Sequence, residues 1–234
     1  MATALPHVWE DTEGPSWCIG VHPLMTVGVD RVAVETALLG GELGCPALGC
    51  AGRLAPWGWA CGRVVRGEAG GVGLRPRRSR CRQCRGTHVL LPASVLLRRA
   101  DAVTVIGAAL LAKAGGCGHR RIATRLGRAA STVRGWLRRI GAVADPVLGA
   151  LGVLAAELGG EFVAPAPTAG PVAAVVEMVG ALVRAVVRRL GGSCSPWRLA
   201  AVLTGGRLLA PGGPDLAAGV GTAGNTSWLW AGDG

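Results

Sequence analysis

A chain of 234 residues has room for one or two small domains. Half of it is hydrophobic, but with one Phe and no Tyr the core must come from small aliphatics, which pack naturally on helices. The net charge of +11 attracts a polyanion, and a membrane is not expected as partner: the longest apolar runs, Val103 to Ala112 and Val147 to Ala156, fall short of the ~18–20 residues of a span.

In chain order, the opening MATALPHVWEDTEGPSW is acidic and has no charged n-region or apolar core, so it does not read as a signal peptide. Residues 1 to 24 are expected to be disordered, and Met25 is a candidate alternative start. A cytoplasmic, nucleoid-associated chain follows from this reading, and its eight cysteines then suit metal or free thiols better than disulfides. Residues 25 to 43 read as a lead-in, with a strand over Met25–Val29 and a helix over Arg31–Leu39 capped by Asp30 and stopped by Gly40 and Gly41.

Residues 44 to 92 are rich in Cys, Gly, Pro and Arg. Short strands are expected over Arg53–Trp57, Arg63–Arg66, Leu74–Arg80 and Thr87–Leu91. Cys45 and Cys50 are separated by four residues, and Cys81 and Cys84 by two. Two facing cysteine turns supply the four soft ligands that Zn2+ holds in a tetrahedron, which defines a zinc ribbon on Cys45, Cys50, Cys81 and Cys84. Gly52 and Gly86, two positions after the second cysteine of each pair, let backbone amides approach the sulfurs. Cys61 and His88 are alternative ligands. Cys18, Cys117 and Cys194 have no partner spacing and read as ordinary thiols.

Residues 93 to 140 read as helical. Ser94 caps an expected helix to about Ala114, ended by Gly115 and Gly116. GHRRIATRLGRAASTVRGWLRR then carries two short helices around Gly127, a residue suited to a left-handed turn. Ile122, Ala123 and Leu126 face inward on the first, and Val133, Trp136, Leu137 and Ile140 on the second. This is the pattern of a helix-turn-helix, with Ala130, Ser131, Arg134 and Arg138 spaced to enter a major groove and Arg121, Arg125 and Arg128 placed for phosphates. Thr132 joins the reading helix. Ala129 stands where a Ser or Thr cap would be welcome, so Ser131 or Thr132 is a candidate later cap. His119 reads as a solvated helix-start residue. The competing reading is a generic helical hairpin with solvated arginines.

Helices are also expected over Val147–Leu158, Val172–Leu190 and from Ser195-Pro196-Trp197 to Gly205, with a break at PAPTAGP. Residues 141 to 209 are thus a separate helical segment, and 210 to 234 a disordered tail. The expected fold class is mainly α with a small β zinc ribbon, a helix-turn-helix core and a C-terminal helical segment.

Charge placement supports a DNA-binding reading. Cys45 to Ile140 holds 19 basic residues and two acidic ones, Glu68 and Asp101. All the basic residues of the chain but Lys113 are arginines, whose planar fork suits phosphates and guanine edges. No catalytic constellation emerges: after Ile140 the remaining chain is mostly helical and Gly-rich, with no strand-borne Asp for a two-metal nuclease centre, and no GxxxxGK[ST] loop is present. An enzyme is therefore not expected.

CPALGC, RLAPWGWA, RPRRSRCRQCRGTHVLLP, GHRRIATRLGRAASTVRGWLRR and SPWRLAAVLTGGRLLA together resemble a bacterial family of transposase-like zinc-ribbon/helix-turn-helix proteins, over roughly residues 25 to 210. The ribbon and helix pair are also similar to the N-terminal DNA-binding part of insertion-sequence transposases. The resemblance implies Zn2+ on Cys45, Cys50, Cys81 and Cys84, and double-stranded DNA as partner of the helix carrying Ser131, Arg134 and Arg138. CPALGC departs from the usual two-residue spacing. Within the expected function, a transposase-derived protein and a transcriptional regulator both remain open, with a homodimer as a candidate assembly. The alternative is a protein-interaction module with nonspecific nucleic-acid anchoring.

Overall fold

The computed structural model describes residues 24–158, 169–191, 193 and 195–213. The disorder expected before Leu24 and beyond Gly213, most of PAPTAGP, and Cys18 and Cys194 lie outside the described residues.

The described chain enters on β1 (Leu24–Val27) and turns at Asp30 into α1 (Arg31–Leu39). The Asp30 cap forms as expected: its Oδ1 accepts from the backbone N–H of Val32 at 2.8 Å and of Ala33 at 3.2 Å. Then come β2 (Leu54–Trp59), β3 (Arg63–Arg66), β4 (Gly71–Leu74), β5 (Arg77–Cys81) and β6 (Thr87–Pro92). Four strands form one mixed sheet in the order β1-β6-β5-β2, with β1 parallel to β6 and the other pairs antiparallel. Residues 25 to 43 are therefore no separate lead-in. β1 closes the open edge of β6, and α1 lays Val34 and Leu38 against Leu54 and Leu90. Arg77 fixes α1 to the sheet through a bidentate pair with Glu35, at 2.8 and 3.0 Å.

The strand expected over Leu74–Arg80 is two strands. β4 pairs with β3 in a separate hairpin, and β5 joins the larger sheet. The break falls at Arg75-Pro76, because proline has no N–H for a ladder. The Pro76 carbonyl instead accepts from the Ala60 N–H at 2.8 Å.

The helix expected from Ser94 starts nine residues later, as α2 (Val103–Ala114). Residues 93–102 form a turn in which Val95 bridges Ala102 and Arg98 takes a φ of 56°. Local periodicity loses here to tertiary contacts: Leu96 is fully buried, and Asp101 is drawn into ion pairs with Arg66 and Arg128. α3 (His119–Leu126) and α4 (Ala130–Ala142) follow, then α5 (Ala144–Glu157), α6 (Gly170–Leu190) and α7 (Pro196–Leu203).

α6 packs on α5, α2, α4 and α7, and a continuous core runs from Leu96 to Leu209. The expected boundary between 140 and 141 is absent from the packing, since α2 is apolar on several sides and needs the C-terminal helices to cover it. Ala210, the first residue of the expected tail, is buried too, next to Leu208 and Leu209. Among the described helices α6 alone is long and apolar enough to cross a bilayer. Glu177 and Arg184 interrupt it, so no unbroken apolar run marks it in the sequence, and half of its apolar stretch is buried inside the fold. With 48% of the described residues helical beside a four-stranded mixed sheet and a two-stranded one, the fold is mixed α/β rather than clearly mainly α.

Gly107 shows how tightly the C-terminal helices dock. An added Cβ would overlap the indole ring of Trp197, brought onto α2 by α7. Alanine is ordinarily favoured over glycine inside a helix by ~1 kcal/mol. Gly107→Ala is nevertheless expected to destabilise the protein by ~1–3 kcal/mol through overpacking. A urea unfolding midpoint at or above that of the wild type would refute this docking.

Candidate metal centre and arginine-rich helix face

Two turns bring four cysteines together. The first lies between α1 and β2: the Cys45 N–H donates to the Gly52 carbonyl at 2.9 Å, and the Cys50 N–H to the Ala47 carbonyl at 3.1 Å. The second joins β5 to β6: the Cys81 N–H donates to the Gly86 carbonyl at 2.8 Å, and Arg85 accepts a φ of 64° to complete it. The longer spacing in CPALGC is absorbed by an extra turn, with Gly49 at a φ of 72°.

The sulfurs of Cys45, Cys50, Cys81 and Cys84 all lie within 4.8 Å of one another. Cys45 and Cys84 are 3.7 Å apart, as are Cys50 and Cys81. These are free thiols, too far apart for a disulfide and close to the ~3.8 Å edge of a tetrahedron with metal–sulfur bonds of ~2.3 Å. The four cysteines can therefore hold a metal ion. Among the described residues no other group of three or more Cys, His, Asp or Glu is close enough to share one.

Backbone amides point at two of the sulfurs. The Gly52 N–H donates to Cys50 Sγ and the Gln83 N–H to Cys81 Sγ, both at 3.4 Å. A Cβ on Gly52 would lie 2.5 Å from Cys81 Sγ, so only glycine fits. Burial pushes the Cys81 thiol up, but amide donors from Cys84 and Gln83, with the thiols of Cys84 and Cys50, outweigh it and bring it down to about 7. At Cys45 burial dominates, opposed by the Ala47 amide, and the neighbouring thiols add to it, raising the group to about 12.

Neither alternative ligand enters the cluster. His88 is buried with Nε2 3.5 Å from Cys45 Sγ, so it stands behind a ligand, where an N–H can donate to the thiolate. Cys61 is disulfide-bonded, and Cys117 is a half-buried free thiol packed against the helical core.

The second feature is the α3–α4 pair. Gly127 adopts the left-handed conformation, with φ 61° and ψ 39°. Ile122 and Ala123 are buried from α3, and Val133, Trp136 and Ile140 from α4, while Leu126 and Leu137 are partly buried against the same core. On the other side Arg121, Arg125, Ala130, Ser131, Arg134 and Arg138 are exposed, with Thr132 and His119 half-buried. Ala129 precedes α4 in extended conformation and no side chain caps the helix. The helix still starts at Ala130, so neither Ser131 nor Thr132 serves as a later cap.

Arg128 stands apart from the other expected phosphate contacts. Its guanidinium donates to Asp101 Oδ1 at 2.7 Å and to the carbonyls of Leu126, Gly127, Arg66 and Gly67 at 2.8–3.3 Å. With 15% of its side chain exposed, it is spent on the fold and has no donors left for a phosphate. Sequence reasoning missed this junction, although Asp101 was visible as one of two acidic residues in the basic segment.

Comparison with protein-family models, curated proteins and solved structures finds no match to the chain.

Proposed function

We propose that the chain is a double-stranded-DNA-binding protein in which a zinc ribbon braces a helix-turn-helix, acting as a transposase-derived protein or a transcriptional regulator without a catalytic domain of its own. The observation that carries this reading is the two-sidedness of α4. Val133, Trp136 and Ile140 are buried, while Ser131, Arg134 and Arg138 line an exposed face. No acidic residue occurs between Ala102 and Ala144 to oppose a phosphate backbone. On this reading the exposed Arg121 and Arg125 of α3 would contact phosphates, and the uncapped start of α4 would offer N–H groups to one more. Four thiolates within 4.8 Å of one another, with two edges of 3.7 Å, suit zinc in a closed structural site, with no ligand position left for substrate.

The test compares DNA fragments selected by the zinc-loaded protein with random duplex. Arg134→Ala is expected to cost ~1–3 kcal/mol on the selected site and much less on random sequence, because a bidentate base contact is lost. Arg125→Ala is expected to weaken both alike and to lower the salt slope by about one. Equal losses for both variants on both DNAs would sink sequence-specific reading.

A further inference from the structure

We infer that Trp57, backed by Arg80, is a stacking platform for an unpaired nucleobase, so that the protein takes duplex DNA bearing a single-stranded extension. This rests on the DNA-binding reading above and names a further feature of its ligand.

Four tryptophans lie among the described residues. Trp136 and Trp197 are buried in the helical core, and Trp59 is covered by the guanidinium groups of Arg31 and Arg77, each 4.7 Å from its ring centroid. Trp57 is different: it is 51% exposed and belongs to no hydrophobic core. Leaving an indole in water gains nothing for folding. Its backbone sits at the irregularity of β2 between Pro56 and Gly58, where Gly58 takes a φ of 114°. Such a bulge re-aims the side chain it carries. β2 is also an edge strand, so one flank of the ring has no neighbouring strand.

Arg80 lies 4.5 Å from the ring centroid and is held there by donating to the Arg85 carbonyl at 3.2 Å. Glu35 neutralises Arg77 and Asp101 neutralises Arg66, but no carboxylate lies within ion-pair distance of Arg80, Arg82 or Arg85 among the described residues. Between Cys45 and Ala100 Glu68 is the one acidic residue. The charge selects a polyanion, and the half-exposed ring selects one with a free π-face. Bases inside a duplex have none to offer, whereas each base of a single strand does.

The full-length, metal-loaded protein is titrated with three labelled DNAs: a blunt duplex, the same duplex with a short single-stranded extension, and that duplex with an abasic extension of equal charge. The extension with bases is expected to tighten binding about tenfold over the abasic one. Trp57→Ala should abolish that gain while leaving metal content and blunt-duplex affinity unchanged, and Trp57→Phe should keep most of it. Equal affinity for both extensions, an undiminished gain in Trp57→Ala, or an equal loss on blunt duplex would each overturn the inference and leave the duplex-binding reading standing. Failure of the wild type to bind any of the three DNAs would overturn both.

Discussion

Chelation of the metal, or Cys81→Ser, is expected to unfold the sheet end of the molecule while α2 to α7 stay helical. The sheet core consists of nine buried residues, two of which are the ligands Cys45 and Cys81. That leaves little apolar burial to hold the three strand pairs of the larger sheet and α1 together. In small zinc-dependent folds metal binding supplies ~10–16 kcal/mol, which is folding free energy outright. The helical core of 28 buried residues has no such dependence. Circular dichroism should lose the strand signal and keep the helical one, and proteolysis should concentrate between residues 45 and 92. Cys117→Ser, away from the cluster, should change neither metal content nor the protease pattern. A metal-free protein with wild-type protease resistance in that segment would remove the structural role of the site, and a metal content well below one equivalent per chain would remove the site itself.

Acid should act in the same direction as the chelator. Thiolates bind metal and thiols do not, so each proton displaced on binding costs tenfold in apparent affinity per unit of falling pH. Cys45, raised to about 12, must lose its proton at any ordinary pH and contributes about a hundredfold between pH 8 and pH 6. Cys81, brought down to about 7, is largely ionised at pH 8 and adds about tenfold over the same interval. The apparent affinity is therefore expected to fall by about a thousandfold or more across those two units. An affinity flat in pH would show that the thiols are not the ligands.

The parts legible in the sequence were those fixed by local chemistry. The Asp30 cap, the left-handed Gly127 and the two cysteine turns each depend on a few adjacent residues. The inner faces of α3 and α4 follow from a period of 3.6 that nothing overrides. What failed depended on partners remote in sequence. β1 pairs with β6 across more than sixty residues, so a lead-in strand could not be told from a sheet strand. The Ser94 helix was a sound local expectation, defeated by an aspartate whose partners come from β3 and from the turn after α3. Arg128 was misread for the same reason: an arginine beside a turn glycine looks solvated until its carboxylate is found.

Replacing Asp101 is expected to destabilise the helical half strongly, although the residue belongs to no hydrophobic core. Its carboxylate is 3% exposed and receives Arg66 and Arg128 at 2.7 Å each. Removing one member of a buried pair leaves an uncompensated charge and costs ~3–5 kcal/mol. Asp101→Asn keeps the shape and removes the charge, so it isolates that term. Arg66 is half exposed, and solvent discounts its share to ~1 kcal/mol or less. Arg128→Ala loses the ion pair and the bonds to four carbonyls that clamp the turn between α3 and α4 to the β3–β4 hairpin. Either loss should loosen the α3–α4 turn against the β3–β4 hairpin and so weaken the proposed DNA binding, while metal content stays unchanged. The double variant Asp101→Ala/Arg128→Ala decides what Arg128 is for. If the arginine serves the fold, removing both charges leaves no buried orphan, and the double variant should be less destabilised than the two single losses added together. Strict additivity in stability, with Arg128→Ala alone lowering DNA affinity as much as Arg125→Ala in a fully folded protein, would return Arg128 to the list of phosphate contacts.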